Sequence, residues 1–224
     1  MTILEAIQER HSVRSYTAEK LSGGIVSQLQ RVIDACNRES GLDIQMVIDE
    51  PKAFDSFMAR YGKFRGVRNY IALIGQKSSA LDEKIGYYGE RIALYAQTLG
   101  LNTCWVAMTF SKSITKSQCK MTSGEKLICV LALGYGETQG VQHKSKKVED
   151  VCTVHGEMPV WFKSGLEAAL LAPTATNQQN FLFSLEGNSV SVKSTGGFYA
   201  KVDLGIVKYH FELGAGTEHF TWKS

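Results

Sequence analysis

A chain of 224 residues, 44% apolar and 21% charged, is long enough for one substantial core and has the composition of an ordinary globular protein. Its formal charge of +3 is too weak to draw it to nucleic acid or an anionic membrane, and its longest apolar run, around Leu127 to Leu133, is too short to span a bilayer. Five widely spaced cysteines, never in C-x-x-C, and five histidines without ligand spacing exclude a disulfide framework and a metal site, and make a reducing cytoplasm the expected location.

The N-terminal stretch has Glu5 inside its apolar segment and no small-residue cleavage pattern, so it does not read as a secretory signal. Thr2 and Glu5 are spaced as a capping box opening a helix over 3–9. Ser22 caps a longer helix with Ile25, Leu29, Val32, Ile33 and Cys36 at helical spacing. Ile44 to Ile48 is a short strand, and Pro51 opens another helix that buries Phe54, Phe57 and Met58. Tyr70 to Ile74 is a core strand. A long helix follows with Ile85, Tyr88, Ile92, Tyr95 and Leu99 on one side, stopped at Gly100. Thr103 to Ala107 and Leu127 to Leu133 are strands separated by a polar stretch, and Val160 to Leu171 is helical. Gly187-Asn188 turns a hairpin between Phe181–Glu186 and Ser189–Lys193. Tyr199 to Leu213 is a last helix, stopped at Gly214, before a closing strand over His219–Trp222.

The pattern repeats. Leu29 to Ala35 resembles Leu166 to Ala172, and in that register Ile44–Ile48 falls on Phe181–Leu185. Ile92, Tyr95, Leu99 and Gly100 match Ile206, Tyr209, Leu213 and Gly214, with the first copy longer between Pro51 and Lys84. The expectation is a single domain over 1–224 made of two degenerate halves, about 1–150 and 151–224, packed as one unit. The halves differ in polar groups. The second carries an amide-rich loop, Thr174 to Asn180, where the first has Asn37 to Asp43, and the first carries Arg10, Ser12 and Arg14 where the second has Lys147, Glu149 and Val151. If the halves pack like a two-fold dimer, one of two symmetric clefts holds both sets.

In an extended segment Arg10, Ser12 and Arg14 share a face, and arginine suits phosphate through charge-assisted hydrogen bonds. The bland reading is a basic turn favoured by the helix dipole. Asn177, Gln178, Gln179 and Asn180 offer donors and acceptors on planar units suited to a polar heterocycle, although composition alone describes an ordinary solvated loop as well. His143 to Lys147 adds a basic cluster that alone reads as surface charge. Gly134 to Gly140 has the wrong spacing, and a poor helix after it, for a dinucleotide fingerprint.

Together R-H-S-V-R at Arg10–Arg14, GLNTCWVAM at Gly100–Met108, LALGYG at Leu131–Gly136, the basic HKSKK and EAALLAPTATNQQNFLF resemble the FMN-dependent nitroreductase family over nearly the whole chain. The amide segment stands in the second half and is missing from the first, which resembles the TM-type subfamily, in which one chain imitates the usual homodimer. The resemblance implies a nitroreductase-like α+β fold and an FMN-dependent NAD(P)H oxidoreductase passing hydride from nicotinamide to FMN and on to a small-molecule substrate such as a nitroaromatic or quinone. It implies no catalytic side chain. Arg10, Ser12 and Arg14 would contact the flavin phosphate, ribityl chain and N1/O2 edge. Thr174, Asn177 and Gln179 would close over it, Lys144 and Lys146 would lie at the phosphate, and the backbone at Ala107 and Met108 would approach N5 and O4. His11 is a further candidate. Thr174 in place of serine and Gln178–Phe181 in place of N-x-Q-P-W are departures. A non-enzymatic flavin-binding or sensory protein, and a flavin-fragmenting or dehalogenating enzyme on the same fold, are the alternatives. The oligomer expected is a monomeric pseudo-dimer or a weak homodimer.

Overall fold

The computed structural model describes residues 1–55, 57–154 and 156–223. Thr2 caps helix α1 (Ile3–Glu9) reciprocally: its hydroxyl accepts from Glu5 N at 3.2 Å and its N–H donates to Glu5 Oε2 at 2.7 Å. Ser22 accepts from Ile25 N at 3.3 Å to open α2 (Gly23–Ser40), which buries Leu29, Ile33 and Cys36 on one face.

The first sheet has the order β1-β2-β4-β3, with every neighbouring pair antiparallel, formed by β1 (Gln45–Val47), β2 (Asn69–Gln76), β3 (Asn102–Val106) and β4 (Glu125–Gly134). Strand β2 is buried at every residue but its last, because apolar clusters cover both faces of the sheet. One cluster gathers Phe54, Phe64, Tyr70 and Phe110; the other joins α2 and α4 (Leu81–Thr98) to the rest of the molecule. The second sheet, β5-β6-β7-β8, consists of β5 (Cys152–Val154), β6 (Phe181–Glu186), β7 (Ser189–Ser194) and β8 (Thr221–Trp222). Its pairs run parallel, antiparallel and parallel. It packs on α6 (Val160–Ala169) and α7 (Ala200–Ala215) through Phe162, Phe183, Phe211 and Trp222.

Helices α4 and α7 join the two sheets. A Cβ on Gly86 would lie 1.9 Å from Val202 O, and one on Gly205 1.9 Å from Glu83 O. The two glycines therefore let the helices touch backbone to backbone, in a reciprocal crossing. Lys208 and Glu83, and Tyr87 and Glu212, add polar pairs along it.

Three expectations are corrected. Pro51 opens only a short 3-10 turn (Lys52–Phe54), followed by α3 (Phe57–Tyr61), so Phe54 is buried but Phe57 and Met58 are exposed. Gly214 does not end α7; the stop is Gly216, at φ 78°. Gly214 lies inside the helix because a Cβ there would come within 2.5 Å of Ala168 on α6. The polar stretch between β3 and β4 contains α5 (Lys112–Gln118), opened by Ser111, whose hydroxyl accepts from Ile114 N. Strand β5 was not foreseen either. Among the described residues no helix is long and apolar enough to cross a membrane, and no group of three or more His, Cys, Asp or Glu could hold a metal ion. The architecture is α+β, with two sheets flanking a central helical layer.

Candidate functional site

The segment after α1 runs extended beside β3. Val13 N donates to Thr103 O at 3.1 Å, Arg65 N to Arg14 O at 2.9 Å and Tyr16 N to Arg65 O at 3.0 Å. Extended backbone sends alternate side chains to opposite sides. Val13 is buried, and Ser12 and Arg14 face a cleft of about 410 Å³. The end of β3 and the residues after it, Cys104 to Met108, form the floor of this cleft. Pro173 to Thr176 form one wall, and Phe198, Tyr199, Val202, Asp203 and Ile206, at the start of α7, form the other.

The loop between α6 and β6 is held in an unusual backbone state. Thr176, Asn177 and Gln179 have φ of 52°, 56° and 47°, the left-handed region, without a glycine among them. Each such residue costs about 1–2 kcal/mol, so surrounding bonds must hold it. Those bonds come from the basic segment. Gln179 Nε2 donates to Lys144 O (2.8 Å) and to Asn177 Oδ1 (2.9 Å), while Gln179 Oε1 accepts from Lys146 N at 2.8 Å. Asn177 Nδ2 donates to Lys144 O at 2.9 Å, and Lys146 Nζ to Gln179 O at 2.9 Å. On the cleft side Asp203 completes the clamp: its carboxylate accepts from Ala175 N at 3.0 Å and from Gln178 Nε2 at 2.6 Å. Burial pushes the Asp203 carboxyl up to about 6, against the lowering effect of the Gln178 and Ala175 hydrogen bonds.

Of the residues singled out in the sequence, Ser12, Arg14, Ala107, Met108 and Thr174 line the cleft together. Asn177 and Gln179 do not line it; their amides bind the loop to the 144–146 backbone. Lys144 and Lys146 lie on that far side of the loop. His11 is half-buried beside the arginine segment, and burial first, then the Arg10 charge, lowers its pKa and favours the neutral ring. Arg10 turns inward at the end of α1. Only 3% exposed, its Nε is 3.4 Å from Glu90 Oε1, and Nε and Nη1 have no hydrogen-bond partner among the described residues. Glu90, fully buried on α4, also accepts from Trp105 Nε1 at 2.7 Å and meets His210 Nε2 at 2.9 Å. This node fixes Trp105 in the cleft floor from behind.

Sequence reasoning missed Trp105, Tyr199 and Asp203. Asp203 left one readable signal, a lone acid among Val202, Ile206 and Val207 in the first turns of a helix.

The family model described as "Putative TM nitroreductase" matches residues 2–215. Among solved structures, a putative nitroreductase from Thermotoga maritima is 23% identical, with TM-score 0.65 over 96% of this chain and 83% of that one. A putative nitroreductase in complex with FMN from Desulfovibrio desulfuricans is 19% identical, with TM-score 0.55 over 71% of this chain and 99% of that one. A putative NADH dehydrogenase/NAD(P)H nitroreductase from Parabacteroides distasonis is 22% identical, with TM-score 0.53 over 66% and 95%. Among curated proteins nothing matches the chain.

Proposed function

The chain belongs to the putative TM nitroreductase family, and from that premise we propose that it is an FMN-dependent oxidoreductase that takes hydride from a reduced nicotinamide and passes it to a small acceptor such as a nitroaromatic or quinone. The observation that carries the reading is the cleft, where Ser12 and Arg14 of the first half stand opposite Thr174 to Thr176 of the second across the backbone of Cys104 to Met108. The family and the FMN complex of the Desulfovibrio desulfuricans protein support it.

The donor set fits FMN. A cleft of about 410 Å³, with apolar walls and a few converging polar groups, is of the size that binds cofactors (~300–1,000 Å³). Arg14 supplies a guanidinium, and Ser12, Thr174 and Thr176 supply hydroxyls; Arg10, ion-paired with Glu90 and buried, does not line the cleft. When bound, FMN supplies the hydride chemistry. Arg14 is the cation that favours the negative charge a flavin gains on reduction. Trp105, Tyr199, Val202 and Ile206 exclude water, and the Asp203 clamp keeps the loop wall in place. We read the two sheets as the two degenerate halves, about 1–150 and 151–224, and the protein as a pseudo-dimer with one complete site per chain.

Purified protein tests this directly. Yellow protein bleached anaerobically by NADH or NADPH, and recoloured by a nitroaromatic or quinone, is the expected result. Failure to take up FMN overturns the reading, and bound flavin that neither nicotinamide bleaches replaces it with a non-enzymatic flavoprotein.

A further inference from the structure

A second recess of about 640 Å³ lies beside the cleft and shares Ser12 and Arg14 with it. Its other charged lining groups are Arg60, Lys63, Arg65 and one acid, Glu137. Four cations against one carboxylate give this single recess as much net positive charge as the whole chain carries, so the positive potential is focused beside the cleft.

The recess is fixed in place by the backbone. The Arg65 N–H to Arg14 O and Tyr16 N–H to Arg65 O bonds join its two sides. Its ion pairs leave the cations available. Arg60 pairs with Asp55 at 3.2 Å and Arg65 meets Glu137 at 4.0 Å, but all four side chains are at least half exposed, where such pairs hold weakly. Arg14 lies 5.9 Å from the Phe64 ring centre, and among the described residues neither it nor Lys63 pairs with a carboxylate.

Lys63 gives the second, independent observation. Helix α3 ends in a Schellman turn: Phe64 N donates to Ala59 O and Lys63 N to Arg60 O. The residue at the left-handed position of that turn is Lys63, with φ 61°, although Gly62 stands immediately before it. Glycine is the residue this position favours, so the lysine is held against backbone preference, and such strain gathers at functional sites.

We propose that the recess is a subsite for the phosphate of the reductant, in which Arg60, Lys63 and Arg65 take the 2′-phosphate of NADPH and make this nicotinamide preferred over NADH. The proposal rests on the reading of the cleft as the site of flavin and nicotinamide. Guanidinium and ammonium groups converging on one recess match a dianionic phosphate, and the shared Arg14 connects it to the place where the nicotinamide ring must react.

The test is calorimetric titration of the holoprotein with adenosine 2′,5′-bisphosphate and with adenosine 5′-monophosphate, beside anaerobic reduction by NADPH and NADH. In the wild type the bisphosphate binds at least tenfold more tightly, and NADPH reduces at lower half-saturating concentration than NADH. In the Arg60→Ala/Lys63→Gly/Arg65→Ala variant both preferences fall to near unity. Lys63→Gly alone narrows them while raising or preserving Tm, because glycine relieves the turn; a fall in preference with the fold intact supports a ligand-side role. Equal binding of the two nucleotides by the wild type overturns the proposal, as does a preference that survives in the triple variant. A triple variant that loses FMN also overturns it, since the recess then serves the cofactor's own phosphate. Protein that takes up no FMN sinks the functional reading, whereas flavin-loaded protein that binds the two nucleotides equally overturns the recess alone.

Discussion

Two loops in this molecule occupy the same place in the helix-to-strand pattern, and they are built in opposite ways. In the first, between α2 and β1, Gly41 supplies the left-handed residue at φ 73°, and Asn37 bonds both backbone groups of Ile44, at 2.8 and 2.9 Å. Asp43 N donates to Ile74 O at 2.9 Å and ties the loop to β2, and the loop lines no part of the cleft. In the second, between α6 and β6, Thr176, Asn177 and Gln179 take left-handed backbone without glycine; Lys144 and Lys146 bond Asn177 and Gln179, and Asp203 bonds their neighbours Ala175 and Gln178. The first loop is a relaxed connector. The second is strained, held from outside, and forms a wall of the cleft. Of the two, the strained loop is the one that reaches the cleft, as backbone strain at a functional site does.

The largest expected difference concerns the titratable clamp. The folded-state pKa of Asp203, about 6, lies above its ordinary value of 3.8, so the folded protein binds this proton more tightly than the unfolded chain. Its contribution therefore favours the fold at low pH and is lost as pH rises from about 4 to about 6, an effect of roughly 3 kcal/mol. Asp203→Asn should flatten the Tm profile across that window and raise Tm relative to wild type at pH 7. In the first loop Asp43 accepts from the Gln45 side chain, and among the described residues no carboxylate accepts from that loop's backbone, so a variant profile parallel to wild type would remove this part of the contrast.

Next come the amides. Gln179→Ala leaves Lys146 N without its partner, and Asn37→Ala leaves both backbone groups of Ile44 without theirs. Each should cost about 1–3 kcal/mol in urea denaturation. Only Gln179→Ala should also weaken flavin retention, read by FMN release on dilution. Equal loss of flavin in both would make the two loops functionally alike.

The smallest effects are opposite in sign. Gly41→Ala meets no atom within 4 Å and suffers only from its backbone angle, so it should lose about 1 kcal/mol of stability. Thr176→Gly relieves the same angle and should gain about 0.5–1 kcal/mol, while loosening the cleft wall. Loss of stability in both would show that the second loop is not strained.

Local physics made much of the fold legible. Thr2, Ser22, Gly100 and the Gly187-Asn188 turn act over three or four residues, and the helices and hairpin they bound lie within a few positions of the sequence reading. What could not be read depends on partners far along the chain. Strand β5 is three residues long and exists through parallel pairing with β6. Gly214 looked like a helix stop because Gly100 is one, but the approach of α6 decides its role. In the site, Ser12, Arg14 and Thr174 were recognisable by residue type and position. The direction of the Asn177 and Gln179 amides was not, because their acceptors belong to a segment more than thirty residues earlier. Arg60, Lys63 and Arg65 drew no reading from the sequence, and the Arg14–Arg65 backbone bond is what sets them beside the cleft.

The most direct measurement is a titration of flavin-free protein with FMN, followed by absorbance and fluorescence quenching, for the wild type, Arg14→Ala, Gln179→Ala and Asn37→Ala. The account predicts saturation at one FMN per chain, with binding weakened tenfold or more by Arg14→Ala and by Gln179→Ala, from different halves, and unchanged in Asn37→Ala. Saturation at two per chain, or equal weakening by Asn37→Ala, would contradict it.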